Sequence, residues 1–159
     1  AEFITIHGRT RSQFYADKAD WAKIKLLKEN VDVPVFANGD ILSIEDAEKC
    51  LETSKADGVA IGRAAMGDPT LIHRVAHFLA TGERIPVPTL AEKILILKEH
   101  LNGEIALRGE NVGIKFFRKF YPFYISGIKN AAKVRSLLVT EENYDNILNI
   151  LDSIEKIST

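Results

Sequence analysis

Three short polar clusters hold the residues best suited to chemistry: His7-Gly8-Arg9, Asn38-Gly39-Asp40 and Gly62-Arg63. Each directly follows a brief apolar run, respectively Phe3-Ile4-Thr5-Ile6, Pro34-Val35-Phe36-Ala37 and Gly58-Val59-Ala60-Ile61. Glycine at such a point lets the backbone approach a ligand closely and present its amides. Arginine beside it adds a forked cation that matches phosphate oxygens. Residues 62–67 also read as the start of a short helix, whose free amides and dipole favour an anion. Taken singly, each cluster has a plainer reading. Asn38-Gly39-Asp40 makes a turn, Gly62-Arg63 a cap with a surface arginine, and His7 a satisfied core histidine. Their recurrence after three successive runs favours a site for a phosphate-bearing cofactor or substrate, with His7 placed to hydrogen-bond it.

Other chemistry finds less support. His73 and His77 stand at i and i+4 on a predicted helix, a spacing that can pair metal ligands. No Glu follows His73 and no third ligand is evident, so no metal site is assigned. Cys50, the single cysteine, falls in a predicted helix and reads as a small buried apolar residue. No serine sits in a nucleophile-elbow pattern.

The elements that must position the clusters follow from periodicity. The apolar runs read as strands, short and continuous as expected where both faces are covered. Between them, residues 19–30 carry Trp21, Ile24, Leu27 and Val31 at helical spacing, with Asp20 as a cap. Residues 43–53 form a second helix whose Ser43-Ile44-Glu45-Asp46 start reads as a capping box. Thr70–Thr81 is a third. Strand, loop and helix in triplicate predict parallel βαβ units, in which ligands bind at the C-terminal strand ends. Each unit takes roughly 25–35 residues, the scale of a (β/α)₈ barrel of about 250 residues. Three units do not close a barrel, and both sheet edges would be bare. The chain opens inside a strand, so it is expected to be a segment of a longer polypeptide or to pair with one.

Composition narrows the class. The 159 residues are 46% hydrophobic and 27% charged with a net charge of -1, which argues against disorder. One cysteine excludes a disulfide scaffold. Apolar stretches fall short of the roughly 20 residues a membrane span needs, and no signal or transit pattern is present; a cytoplasmic protein with no membrane role is expected. Residues 1–82 are assigned to the βα units and 83–88, with Pro86 and Pro88, to a linker. Residues 89–159 read as an all-α bundle, with helices over 89–103, 110–126 (interrupted at Pro122), 130–138 and 140–157. Leu90, Ile94, Leu97 and Leu101 share one stripe of the first. Thr140 is expected to cap the last, with Ile147, Leu148, Leu151 and Ile154 facing the core.

The bland net charge conceals a local asymmetry. From 108 to 135 the bases are Arg108, Lys115, Arg118, Lys119, Lys129, Lys133 and Arg135, against the single acid Glu110. Phe116, Phe117, Phe120, Tyr121, Phe123 and Tyr124 are interleaved. Basic groups there would contact nucleic-acid phosphates, and exposed aromatics would stack on unpaired bases. The competing reading is a bundle with core aromatics and solvated lysines. Most of the aromatics are taken as core and the basic stripe as functional.

These residues together resemble the C-terminal half of the tRNA-dihydrouridine synthase family. The resemblance rests on Ile6-His7-Gly8-Arg9-Thr10-Arg11 with Ala19-Asp20-Trp21, on Pro34-Val35-Phe36-Ala37-Asn38-Gly39-Asp40-Ile41, and on Asp57-Gly58-Val59-Ala60-Ile61-Gly62-Arg63-Ala64-Ala65-Met66-Gly67-Asp68-Pro69. Phe116-Phe117-Arg118-Lys119, leading through Gly127 to Ala131-Ala132 and Arg135, fits the tail. The resemblance implies the last three units of an FMN-binding TIM barrel followed by a helical tRNA-binding domain. The implied reaction is reduction of uridine in tRNA to 5,6-dihydrouridine with FMN and NADPH, on a base that has left the stack. It implies that Asn38, Gly39 and Asp40 bind the ribityl-phosphate side of FMN, that Gly62 and Arg63 hold its phosphate, and that His7 contacts it. Arg9 and Arg11, together with Lys115, Arg118, Lys119, Lys129, Lys133 and Arg135, are assigned to RNA. The family's general-acid cysteine is expected upstream, in the missing N-terminal part of the barrel, and Cys50 does not match its motif. The chain alone is therefore expected to be inactive. Two other readings stay open: an FMN-dependent barrel reductase of small pyrimidines or enones, and a non-enzymatic helical RNA-binding module.

Overall fold

A computed structural model of the chain describes residues 1–14 and 16–157. It is a mixed α/β structure with one small parallel sheet and a majority of helix. The chain divides into two compact units, Ala1–Ala65 with Pro69–Pro86, and Met66–Asp68 with Val87–Thr159.

The first unit is built on three parallel strands, β1 (Ile4–His7), β2 (Val35–Asn38) and β3 (Gly58–Ala60), in the order β1-β2-β3. The register sets His7 opposite Asn38 and Asn38 opposite Ala60. All three strands therefore end on one side, where the polar clusters lie. Helices α1 (Trp21–Lys28) and α2 (Ile44–Ser54) are the crossovers, and α3 (Thr70–Thr81) follows β3. Short 3-10 turns cover Arg11–Gln13 and Arg63–Met66. The helix starts follow their side chains. Asp20 accepts the Lys23 N–H at 3.3 Å, and Ser43 Oγ accepts the Asp46 N–H at 3.1 Å. The expected capping box at Ser43 is modified, because the Asp46 carboxylate reaches past the cap and accepts the Leu42 N–H at 3.1 Å.

Ile24, Val35, Ala37, Ile41, Ile44, Ala47, Cys50, Leu71 and Val75 form the core of this unit. Continuous apolar runs had suggested strands covered on both faces. Only central β2 has fully buried residues, Val35 and Ala37, while β1 alternates between half-buried and exposed positions. The outer strands of a three-stranded sheet each lack one neighbour, which leaves Phe3 exposed beside Phe36 at 5.6 Å between ring centres.

In the second unit the elements are helices: α4 (Leu90–Arg108), α5 (Glu110–Phe117), α6 (Tyr121–Tyr124), α7 (Ala131–Thr140) and α8 (Tyr144–Ile157). Thr89 and Glu92 form a reciprocal capping box at the start of α4. The helix passes through Gly103, where an end was expected, and stops at Gly109; one interior glycine costs only about 1 kcal/mol, and packing of Ile94, Leu97 and Leu101 outweighs it. Gly113 lets α5 approach α4 closely, since a Cβ there would stand 2.7 Å from Ile105 Cα. The expected break at Pro122 falls instead at residues 118–120, and Pro122 sits in the first turn of α6, where its missing N–H is not needed. Thr140 does not cap α8. It ends α7, donating its hydroxyl to Ser136 O at 3.0 Å, and Asn143 Oδ1 accepts the Asn146 N–H at 3.0 Å at the start of α8. Ile147, Leu151 and Ile154 are buried with Phe117, Tyr121 and Leu138, whereas Leu148 is half-buried. Among the described residues no helix is long and apolar enough to cross a membrane.

Candidate functional site

The strand-end clusters are tied together by a specific set of hydrogen bonds. Gly39 has φ +118°, and a Cβ on it would stand 2.8 Å from Ala19 Cβ and 3.0 Å from His7 Cε1. Only glycine allows this turn and the packing of His7 against it. The Trp21 indole N–H donates to Gly39 O at 2.9 Å, and the Asn38 amide donates to Ala60 O at 2.6 Å. These bonds fix the end of β2 to α1 on one side and to β3 on the other.

Asp40, with φ +56°, gathers all three loops. Its Oδ2 accepts the Ala19 N–H at 2.8 Å and Arg9 Nη2 at 2.6 Å, while its Oδ1 lies 3.7 Å from Arg63 Nη2. Burial works against the carboxylate, but the Ala19 N–H, Arg9 and Arg63 outweigh it and hold Asp40 below the usual carboxyl range. His7 is exposed at the end of β1, and its Nδ1 accepts the Arg9 N–H at 3.1 Å. That bond leaves Nε2 as the proton-bearing nitrogen of a neutral ring.

His7, Asn38, Gly39, Asp40, Gly62 and Arg63 all line one cleft of about 200 Å³. The space beside Gly62 is open, with nothing within 4 Å of where a Cβ would stand. The Arg63 side chain is half exposed at the same cleft. An open backbone, a guanidinium and an exposed imidazole are the donor set an anionic oxygen cluster requires.

Arg9 was assigned to RNA, but its side chain is only 5% exposed. It lies inside the network, donating from Nε and Nη2 to Asp17 O at 3.1 and 2.7 Å as well as to Asp40. Arg11 is exposed on its 3-10 turn. Sequence reasoning overlooked the roles of Trp21 and Ala19 as supports of the turn at residues 39–40; the adjacent Ala19-Asp20-Trp21 at the start of α1 was the available signal.

The basic stripe is more heavily countered than its own segment suggests. Glu104 accepts Arg108 Nε at 2.6 Å, and Glu142 Oε1 lies 3.1 Å from Arg118 Nη2 and 3.7 Å from Lys115 Nζ. Both acids fall outside residues 108–135. Lys119 Nζ and Arg108 Cζ sit 3.5 and 3.7 Å from the centre of the Phe116 ring. Lys129 and Lys133 are exposed, and Arg135 is half-buried with Nη1 donating to Ile125 O at 2.7 Å. Phe117, Tyr121 and Tyr124 are core, Phe116 and Phe120 are half-buried, and Phe123 is exposed. Burial pushes the Tyr124 hydroxyl up to about 12, and it meets His100 Nδ1 at 3.1 Å.

Among the described residues no group of three or more His, Cys, Asp or Glu is arranged to hold a metal ion. Cys50 is fully buried on α2, does not line the cleft, and has its thiol pushed up to about 11 by burial.

Residues 1–158 match a family model described as dihydrouridine synthase. The chain is 45% identical over 134 residues to a probable tRNA-dihydrouridine synthase from Rickettsia conorii, covering 84% of this chain and 40% of that protein. It is 43% identical over 123 residues to tRNA-dihydrouridine synthase B from Pseudomonas putida, covering 77% and 36%. Against a probable tRNA-dihydrouridine synthase 1 from Synechocystis sp. it is 38% identical over 152 residues, covering 96% and 42%. The chain thus spans about two fifths of the length of these curated relatives.

Proposed function

The chain belongs to the dihydrouridine synthase family, and from that membership we propose that it forms the FMN-phosphate side and the RNA-contacting helices of an enzyme that reduces uridine in tRNA to 5,6-dihydrouridine. The observation that carries this reading is the single cleft shared by residues from three successive strand ends. Its donor set suits a phosphate-bearing flavin. Gly62, with open space beside it, and Arg63 would hold the phosphate. Asn38, Gly39 and Asp40 would form the ribityl-phosphate side, and His7, with Nε2 as donor, would contact the cofactor. The chemistry FMN supplies when bound is hydride delivery to the uracil double bond, with NADPH as its reductant.

The chain's own residues bind and orient. Asp40 holds Arg63 at the cleft and, with Arg9, fixes the loop after β1. Arg9 serves RNA indirectly, by setting the loop from which Arg11 projects. Lys115, Arg118, Lys119, Lys129, Lys133 and Arg135 make the phosphate-facing surface of the second unit. No residue of this chain is assigned the proton transfer to uracil. Cys50 is excluded from it by full burial on α2, away from the cleft, so that thiol would come from elsewhere in the barrel. The remaining strands of a closed barrel would likewise come from outside the three present.

The test supplies those strands. A chimera joining the N-terminal barrel units of the Rickettsia conorii relative to this chain is titrated with FMN by flavin fluorescence and assayed for dihydrouridine in unmodified tRNA. Flavin binding, lost in Arg63→Ala, and dihydrouridine formation are expected, whereas the 159-residue chain by itself retains no flavin. A chimera that binds no flavin, or stoichiometric FMN and full activity in the isolated chain, overturns the reading.

A further inference from the structure

We propose that Lys115 and Arg118 form a subsite for one backbone phosphate of a folded RNA, and that Glu142 is its built-in competitor, occupying the two cations until the phosphate displaces it. The proposal rests on the RNA-contacting reading of the second unit and adds a residue that opposes binding.

The geometry is that of one acceptor between two donors. Glu142 Oε1 stands 3.1 Å from Arg118 Nη2 and 3.7 Å from Lys115 Nζ. Positions 115 and 118 are three apart, so their side chains rise from the same side of the helical turn. One oxygen shared by a guanidinium and an ammonium is an arrangement a phosphate oxygen also adopts. The existing grip is incomplete: Arg118 reaches Glu142 through a single nitrogen, Nη2. A forked pair would be stronger.

The acid can leave without disturbing the core. Its side chain is 62% exposed, and an exposed pair of this kind is weak. Its backbone, in contrast, is fixed. Glu141 Oε1 accepts the N–H groups of Glu142 and Asn143, each at 2.9 Å, and the Glu141 N–H donates to Leu137 O at 3.0 Å. Asn143 in turn caps α8. The turn between α7 and α8 therefore presents Glu142 to the two bases, and displacement needs only a side-chain rotation. The neighbouring cations are otherwise engaged, Arg108 by Glu104 and Lys119 by the Phe116 ring. An RNA that places a phosphate here replaces the carboxylate. One that docks out of register meets a negative charge, which is discrimination by repulsion.

The experiment is fluorescence anisotropy of labelled, folded tRNA with the whole chain, comparing wild type, Glu142→Gln, Lys115→Gln/Arg118→Gln, the triple variant, and Glu99→Gln as a control for net charge. Glu142→Gln is expected to tighten binding about threefold, in line with an exposed ion pair, and more than Glu99→Gln does. The paired substitution should weaken binding and flatten its salt dependence. In that background Glu142→Gln should do no more than the control. Equal effects of Glu142→Gln and Glu99→Gln overturn the competitor role while leaving RNA binding intact. Wild-type affinity in Lys115→Gln/Arg118→Gln overturns the subsite. Absence of tRNA binding in every variant overturns both this proposal and the RNA-contact reading it rests on.

Discussion

Arg9 Nη2 lies 2.6 Å from Asp40 Oδ2, and this ion pair joins the loop after β1 to the loop after β2. The guanidinium is enclosed, and its other bonds go to the carbonyls of Ala16 and Asp17. Removing the cation leaves a partly buried carboxylate with only the Ala19 N–H and the more distant Arg63. Arg9→Met is therefore expected to destabilise the first unit by about 3 kcal/mol, measured by chemical denaturation. Arg9→Met/Asp40→Asn should lose less than the sum of the single changes, as contacting partners do. Arg9→Lys should not restore stability, because an ammonium cannot make the forked contacts to Asp17 and Asp40 together. A wild-type midpoint in Arg9→Met would contradict the role given to this pair. The same pair sets an acid limit. Asp40 has a folded pKa below its unfolded value, so its contribution is fully present above about pH 4 and is lost as pH falls through the lowered value. Asp40→Asn should flatten that acid limb in a circular-dichroism titration.

Two glycines at the cleft make opposite predictions. Gly39→Ala introduces a Cβ within 2.8 Å of Ala19 at φ +118°, and a loss of about 2–3 kcal/mol in stability is expected. Gly62→Val meets open space and should leave stability within about 0.5 kcal/mol. In the flavin-binding chimera, however, it should lower FMN affinity at least about tenfold, because the added side chain stands where a phosphate would approach. Thermal melts and flavin titration separate the two effects. Unaltered FMN affinity in Gly62→Val would remove Gly62 from the phosphate side.

His100 gives the second unit its own pH dependence. Burial against Phe117 and Phe120 lowers its pKa, partly opposed by Glu104. The unfolded chain thus binds the proton more readily than the folded one. Stability should be highest with the ring neutral and decline as pH drops below about 6.5, levelling off once the folded ring also protonates. His100→Phe should abolish that decline between pH 7.5 and 5.5, as measured by urea denaturation of each variant at both pH values. An unchanged slope would place the titrating group elsewhere.

Features with a local cause were readable from the chain alone. Asp20 and Ser43 cap their helices because the bond they make spans three residues. The three strand ends were recognisable because glycine and polar residues interrupt apolar runs at each. Long-range relations were not. Glu142 opposes Lys115 and Arg118 from the turn between α7 and α8, so counting charges between 108 and 135 overstated the basic surface. Arg9 was assigned to RNA because nothing near it in sequence reveals that Asp40 and the carbonyl of Asp17 converge on it. Thr140 looked like a cap by residue type, yet a β-hydroxyl also bonds back to the preceding turn, as it does here to Ser136.

The order β1-β2-β3 also bears on how the first unit is made. Ile4 pairs with Val35, and Phe36 with Gly58, so each described strand meets its partner in the very next βα unit. Every pairing closes a loop already shortened by its own crossover helix, which keeps the entropy of closure low for a parallel sheet. As the chain emerges during synthesis, each strand finds its predecessor already waiting. Strand assembly can then proceed in step with translation, because no pairing among the described strands skips over an intervening one.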